Sequence, residues 1–412
     1  MTKKEAPFDR GNLMKMRDMV YACTRCGYCR EKYSSDMTKT PAFRVCPVRE
    51  HSGGFEHHCA RGKLLIAQGL LEGRVGYSQE LVELFYSEPD CRLCTWVCNT
   101  MPLIDPPQVW RAIRQDLVEA GLGPPEPIRK IDDRVRKSHN TFGAKTSRSK
   151  WAEGLDLPLR SELLYFAGCY SSYSQTETAR ATIAVLRHAG ENPAFLGDSE
   201  WCCGVSQFHD GSILLAKQMA EHNIEMIISS GAKTVVTGCA ECYKSLKLEY
   251  PALVGHLPFE VLHTSEIFAG MLAEERICFD VEPTEKKLTY HDPCSLGRYL
   301  NVFEPPRSII SSIPGVELLE MQRHHDYAWC CGYGADMVNS VQPEVASDIA
   351  AGRMAEAKEA GAEAVVTACP RCVRALSKAG RGMKVYDLTV LVAMSMGLLG
   401  MKNRGNSNDV WF

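Results

Sequence analysis

Three stretches in the first third of the chain carry apolar residues at three- and four-residue spacing, the period of an amphipathic helix. They are RGKLLIAQGLL from Arg61, QELVELFY from Gln79 and VWRAIRQDLVEAGLG from Val109, the last ending in glycines suited to a helix C-cap. Residues 1–122 are therefore expected to be all-helical. Residues 123–158 are rich in Pro, Gly, Ser and basic side chains with little apolar periodicity, and they read as a linker or a strap over the surface. The basic run there is most simply a solvated segment, the alternative being a docking site for an acidic partner.

Beyond residue 159 the pattern changes to short β-rich runs, each followed by the start of a helix, and it repeats. AKTVVTGCAECYKSL (Ala232–Leu246) matches AEAVVTACPRCVRAL (Ala362–Leu376) position by position, and ELLYFAGC, ending at Cys169, parallels KLTYHDPC, ending at Cys294. The repeat predicts two α/β lobes, residues 159–280 and 281–412, related by pseudo-twofold symmetry. The expected fold class is α+α/β, a helical ferredoxin-like domain followed by a duplicated α/β domain. Cysteines follow directly on the predicted strands, where open α/β sheets gather their functional groups.

Composition narrows the function. The chain of 412 residues has a net charge of -3 and 24% charged residues, with no bias towards polyanions, so nucleic acid is not an expected partner. The N-terminus lacks an apolar signal core, and the longest apolar run, Leu388–Met401, is too short to span a bilayer. That run reads as a core helix, with a docking face for a membrane subunit as the alternative. A cytoplasmic protein is expected, peripheral on the membrane only through a partner. Nineteen cysteines are then anomalous, because a reducing compartment does not sustain a disulfide framework. Thiolate metal ligands are the leading reading.

Eight cysteines lie in the helical block, and a cubane 4Fe-4S cluster takes four thiolates, so the number suits two clusters. Cys23, Cys26 and Cys29 form the CxxCxxC opening of a bacterial ferredoxin run. The fourth member, Cys46, keeps its following proline but is displaced by an insertion. The second run, Cys91, Cys94 and Cys98, has Glu88 where its first cysteine is expected, a vacancy that Cys59 can fill. Crossing over as two-cluster ferredoxins do, Cys23, Cys26, Cys29 and Cys98 are assigned to one cluster, and Cys46, Cys59, Cys91 and Cys94 to the other. Two zinc sites are the alternative.

Each lobe adds one lone cysteine, one Cys-Cys-Gly and one CxxC: Cys169, Cys202, Cys203, Cys239 and Cys242, then Cys294, Cys330, Cys331, Cys369 and Cys372. Five thiolates exceed what a cubane or a tetrahedral zinc requires. Adjacent side chains on a regular strand point to opposite faces, so both sulfurs reach one site only through an irregular turn, which Gly204 and Gly332 permit. Cys278, in RICFDV, is left over and is expected in the core. His291, Asp292 and Arg298 flank Cys294. His291 and Arg298 are weak candidates for donating hydrogen bonds to a cluster sulfur or a substrate carboxylate, and Asp292 is equally a helix cap. His324 and His325 read as surface histidines, or as proton donors to a departing thiolate. GYGADM lacks the third glycine of a dinucleotide motif, so neither flavin nor NAD is expected in this chain.

The doubled five-cysteine motif resembles that of the cysteine-rich CCG-domain family. The order of a two-cluster ferredoxin module and two CCG domains is similar to that of heterodisulfide reductase catalytic subunits of the D type. It is also similar to iron-sulfur subunits of the anaerobic glycerol-3-phosphate dehydrogenase and glycolate oxidase type. The resemblance implies a noncubane 4Fe-4S cluster on each five-cysteine set and reduction of a small-molecule disulfide between them. It equally implies an electron partner: a flavoprotein, a hydrogenase or a membrane cytochrome. The alternative it carries is a relay subunit between a flavoprotein dehydrogenase and a quinone or cytochrome.

Overall fold

The computed structural model describes residues 11–32, 43–98, 100 and 102–399. The first ten residues, most of the insertion between Cys29 and Cys46, and the last part of the apolar run ending at Met401 lie outside them. Among the described residues, no helix is long and apolar enough to cross a membrane.

The chain forms two compact units whose boundaries cut across the expected domains. The first holds residues up to Asp133 together with Val205–Ala216 and Trp329–Ala350; the second holds Arg134–Gly204, Lys217–Ala328 and residues from Ala351 onward. Each stretch that follows a Cys-Cys-Gly motif thus belongs to the first unit.

The first unit is mainly helical, and its helices are those the periodicity predicts: Ala60–Leu71, Gln79–Tyr86 and Pro106–Glu119. Their apolar faces bury Leu64, Leu70, Val82, Phe85, Trp110, Ile113 and Leu117 in one core, joined by Met337 from the later segment. The third helix stops as expected, with Gly121 at φ +72 and the Leu122 and Gly123 amides both returning to the Leu117 carbonyl at 3.0 Å. One feature departs from an all-helical block: β1 (Glu31–Lys32) and β2 (Phe43–Arg44) pair antiparallel. A second departure is the expected linker, which contains a thirteen-residue helix, Glu126–Ser138. Its Ile128, Ile131 and Val135 are buried at three- and four-residue spacing, a stripe that the charged residues between them mask in the sequence.

The second unit contains two parallel sheets. One runs β3 (Leu163–Tyr165), β4 (Thr234–Thr237), β5 (Glu260–His263), with Ala194 bridging to Leu164 on the outer side of β3. The other has the order β7-β6-β8-β9, from β6 (Lys287–His291), β7 (Glu317–Leu319), β8 (Ala364–Thr367) and β9 (Lys384–Asp387). Parallel strands need helical crossovers, and these cover the sheets. The helix Leu388–Ser395 is buried along most of its length, so this part of the apolar run is core. Cys278 is not: it is exposed between buried Ile277 and Phe279 in an irregular segment, the side chain that alternation turns outward.

Candidate metal centre

In the first unit, Cys23, Cys26, Gly27, Cys29, Cys94 and Cys98 line one cavity, so the CxxCxxC loop meets the second run there. Gly27, at φ +89, and Arg25, at φ +60, turn the loop around it. Cys26 is exposed at its outer edge. Cys46 stands at the N-cap position of the helix Pro47–His51, its thiol turned to the His58 carbonyl and not capping the helix, and packs with Cys59 in a small apolar cluster. Burial pushes both the Cys46 and Cys94 thiols up, reinforced by the charge of Glu88. Glu88 is itself buried and takes an ion pair at 2.5 Å from fully buried Lys63. Cys59 stands between the two groups, since its thiol also hydrogen-bonds with Cys29, which lowers the Cys59 pKa to about 7.

The loop before Cys91 is held from several sides. Arg114, wholly buried, donates to Asp90 at 2.7 and 3.2 Å and to the carbonyls of Phe85 and His209. His209 Nδ1 lies 2.7 Å from Asp90 Oδ2. Burial raises the Asp90 carboxyl, but Arg114 and His209 outweigh it and hold the group well below the usual carboxylate range. Gly334 sits against Pro89 so closely that a Cβ would come within 2.3 Å of the Pro89 Cα. Trp329 Nε1 donates to the carbonyl of Val45, next to Cys46, at 3.2 Å. The segments continuing from both Cys-Cys-Gly motifs therefore end beside ligand candidates of the helical block.

In the second unit the five cysteines of the first set are all buried. Cys169 follows β3, Cys239 follows β4, and Cys202–Cys203 precede Gly204, which turns at φ +78. Their thiols form a hydrogen-bonded series. Cys169 contacts Cys202, which contacts Cys203; Cys203 lies 3.5 Å from Cys242; Cys242 contacts Cys239. The series then runs on to the second CxxC, from Cys239 to Cys369 and on to Cys372. The hydrogen bond from Cys169 lowers the Cys202 thiol, but Cys203 and burial outweigh it and push it up to about 12. Gly168, at φ +70, leaves room for this packing, since a Cβ there would lie 2.7 Å from Cys242 Sγ.

Charged groups bracket the series. Arg148 Nη2 reaches Cys169 Sγ at 3.6 Å, while Nη1 pairs with buried Glu200 at 3.0 Å. Glu200 also accepts the amides of Ala167 and Gly168 at 2.8 and 2.9 Å. Arg371, within the second CxxC, pairs with Glu241, within the first, at 2.8 Å and stacks over Tyr170. Sequence reading misses both pairs. The second is visible as opposite charges at one position of the repeat, whereas Arg148 lies in the segment that reads as a linker.

The second set is divided between the units: Cys294, Cys369 and Cys372 lie in the second, Cys330 and Cys331 in the first. Gly332, following Cys331, has φ +94 and packs where a Cβ would be 2.4 Å from the Ala346 carbonyl oxygen. His291 is buried at the end of β6, and a ring nitrogen lies within 4.8 Å of Cys372 Sγ. Its Nδ1 accepts from Arg353 Nε at 3.1 Å, and burial with the Arg353 charge lowers its pKa to about 3. Arg298 donates to the carbonyls of Ala328 and Asp326, so it braces the loop before Trp329. Asp292 caps no helix. Its oxygens take Arg307 at 2.7 and 2.9 Å and the His325 amide at 2.9 Å, because a nearby guanidinium competes successfully for the carboxylate.

Buried thiols in series, a guanidinium donor and carboxylates turned away towards cations form a donor set that fits iron-sulfur ligation. The cysteine-rich domain model called CCG matches twice, at residues 163–247 and 288–377. The D-type subunit of dihydromethanophenazine:CoB–CoM heterodisulfide reductase from Methanosarcina barkeri is 33% identical over 97% of this chain and 99% of its own. EtfAB:quinone oxidoreductase of Syntrophomonas wolfei is 29% identical over 57% of this chain and 34% of its own. Among solved structures, a hypothetical protein from Helicobacter pylori covers 83% of this chain and 67% of its own, with a TM-score of 0.52 and 11% identity, a likeness of fold.

Proposed function

The chain belongs to the D-type heterodisulfide reductase family of iron-sulfur oxidoreductases, and from that premise we propose that it is the disulfide-reducing subunit of an electron-transfer complex. The observation that carries the proposal is the thiol series running from Cys169 through Cys242 and Cys239 to Cys369 and Cys372, which joins cysteines of both lobes in one buried array.

In this reading residues 159–280 and 281–412 are two copies of one lobe. The matching orders of their sheets, with Ala194 occupying the place of β7, support the duplication. The first set, Cys169, Cys202, Cys203, Cys239 and Cys242, holds one noncubane cluster. The second set, Cys294, Cys330, Cys331, Cys369 and Cys372, is assigned to another on its motif alone. The helical block carries two cubanes on Cys23, Cys26, Cys29 and Cys98 and on Cys46, Cys59, Cys91 and Cys94. When bound, a pair of such clusters supplies the two electrons that cleaving a disulfide requires, one each.

The protein's own groups do the rest. Arg148, fixed by Glu200, offsets thiolate charge at Cys169. Arg353 is always protonated, so His291 Nδ1 must accept from it, and the imidazole proton stands on Nε2. That places a neutral N–H donor near Cys372. The contacts of Trp329 with Val45, of His209 with Asp90 and of Gly334 with Pro89 support the helical block as the path that feeds the lobes. An external flavoprotein, hydrogenase or cytochrome is the partner this path requires, and exposed Cys26 marks its outer end.

Anaerobic turnover of iron-loaded protein with reduced viologen and a panel of disulfides, the CoB–CoM heterodisulfide among them, tests the proposal. Turnover is expected with at least one disulfide, at about sixteen iron atoms per chain for four four-iron clusters, and loss of turnover in Cys203→Ala with the cubane signals retained. No turnover with any disulfide by iron-replete protein would overturn it in favour of a relay subunit.

A further inference from the structure

Between β7 and Trp329, a group of side chains outside the cysteine sets is arranged as ligands. His324 Nδ1 and His325 Nδ1 face each other at 2.6 Å. The other nitrogen of His325, Nε2, lies 3.0 Å from Glu304 Oε1. A carboxylate only accepts, so Nε2 carries the proton; in the neutral ring His325 Nδ1 then accepts from the Nδ1–H of His324, a proton that a metal bound between the two rings would displace. A carboxylate on the far nitrogen is the usual support of a metal-binding histidine. Glu320 completes a triangle, with one ligand atom from each of Glu320, His324 and His325 lying within 4.8 Å of the others.

The surroundings fit a cation. Arg307 orients Glu320 through Nε at 2.6 Å and Nη2 at 3.1 Å while its remaining bonds hold Asp292. Asp292 and Glu320 share the guanidinium of Arg307 while Glu304 lies on His325, so carboxylates outnumber guanidiniums at the group. Arg323 does not alter this balance, because it is paired with Glu356. His325 has φ +54, a conformation strained for a non-glycine residue and characteristically kept where geometry serves a site. Glu320 and His325 are both partly exposed, which leaves an entry path and a position for water.

We propose that Glu320, His324 and His325 form a zinc(II) site, with both imidazoles ligating through Nδ1 and Glu304 as the outer carboxylate of His325. Tetrahedral zinc with bonds of about 2.0–2.1 Å sets its ligands roughly 3.4 Å apart, so the two rings must separate by less than an ångström. The ion would fix the turn that leads into Trp329 and Cys330.

The test uses iron-loaded protein supplied with a zinc salt and then desalted, comparing wild type with the double variant His324→Ala/His325→Ala. Expected are one more zinc per wild-type chain at equal iron content, and a zinc-edge absorption spectrum with a nitrogen and oxygen shell at about 2.0–2.1 Å. Equal zinc in both proteins, or a sulfur shell at about 2.3 Å, would mean that cysteines take the metal and would overturn the proposal. Glu304→Gln changes an exposed side chain and tests it independently of folding: zinc affinity should fall by about 10–100-fold, and an unchanged affinity counts against the site.

Discussion

A guanidinium can be buried completely at Arg114 because its donors are taken up: Asp90 and the carbonyls of Phe85, Glu88 and His209 surround it. The arrangement is worth little as an isolated ion pair, since two desolvated charges roughly cancel their attraction. Its consequence appears when one partner is removed. Arg114→Met should lower unfolding stability by about 3–5 kcal/mol, read as a shift in denaturant midpoint, because Asp90 and three carbonyls lose a buried donor. The same change should disturb the loop before Cys91, which Asp90 and Arg114 hold, so signals of the helical-block clusters should broaden. A single sequence does not reveal this residue, since nothing marks which arginine of a helix will turn inward. Cysteines behave oppositely: the repeated motif singles out the seven that the fold brings into one buried thiol series, Cys169, Cys202, Cys203, Cys239, Cys242, Cys369 and Cys372, because they follow the end of a strand or stand beside a turning glycine. Cys278 and Asp292 escape sequence reading for one reason, that each has two local roles and only tertiary neighbours choose between them.

At the scale of elements, periodicity is readable wherever a stripe faces a core, as in Gln79–Tyr86 and Pro106–Glu119. It fails at Glu126–Ser138, where three buried aliphatics are spread among charged and polar side chains and nearby prolines suggest a break. The last helix, Leu388–Ser395, carries a testable electrostatic feature at its start. Asp387 caps it, accepting the Thr389 amide at 2.9 Å, yet burial pushes its carboxyl up to about 8. A folded-state pKa above the unfolded value of about 3.9 means that the stability tied to the protonated group is fully present below that value. It is lost as pH rises through the folded pKa. Asparagine caps as well as aspartate but does not ionise. Asp387→Asn should therefore show a melting temperature that declines less than wild type between about pH 4 and 8, with no further difference in slope above that, measured by differential scanning fluorimetry.

At the scale of the whole molecule, the CxxC loops of the two halves of the sequence repeat meet inside the second unit, where an ion pair joins them. Glu241 and Arg371 stand at equivalent positions of the sequence repeat, so two matching loops meet with opposite charges. Arg371 also stacks on Tyr170, next to Cys169, and so ties its own loop to both strands of the first lobe that carry cysteines. If the pair acts only as an ion pair, removing both charges should cost less than removing one, because the single change leaves a buried charge unopposed. Glu241→Gln alone is expected to destabilise by roughly 3 kcal/mol, and Glu241→Gln/Arg371→Met by less, from the denaturant midpoints of a double-mutant cycle. A further readout separates stability from chemistry. If the thiol contact between Cys239 and Cys369 is what places the two sets for a shared disulfide, the double variant should regain stability without regaining disulfide turnover, since neutral side chains restore burial but not the register of the two loops.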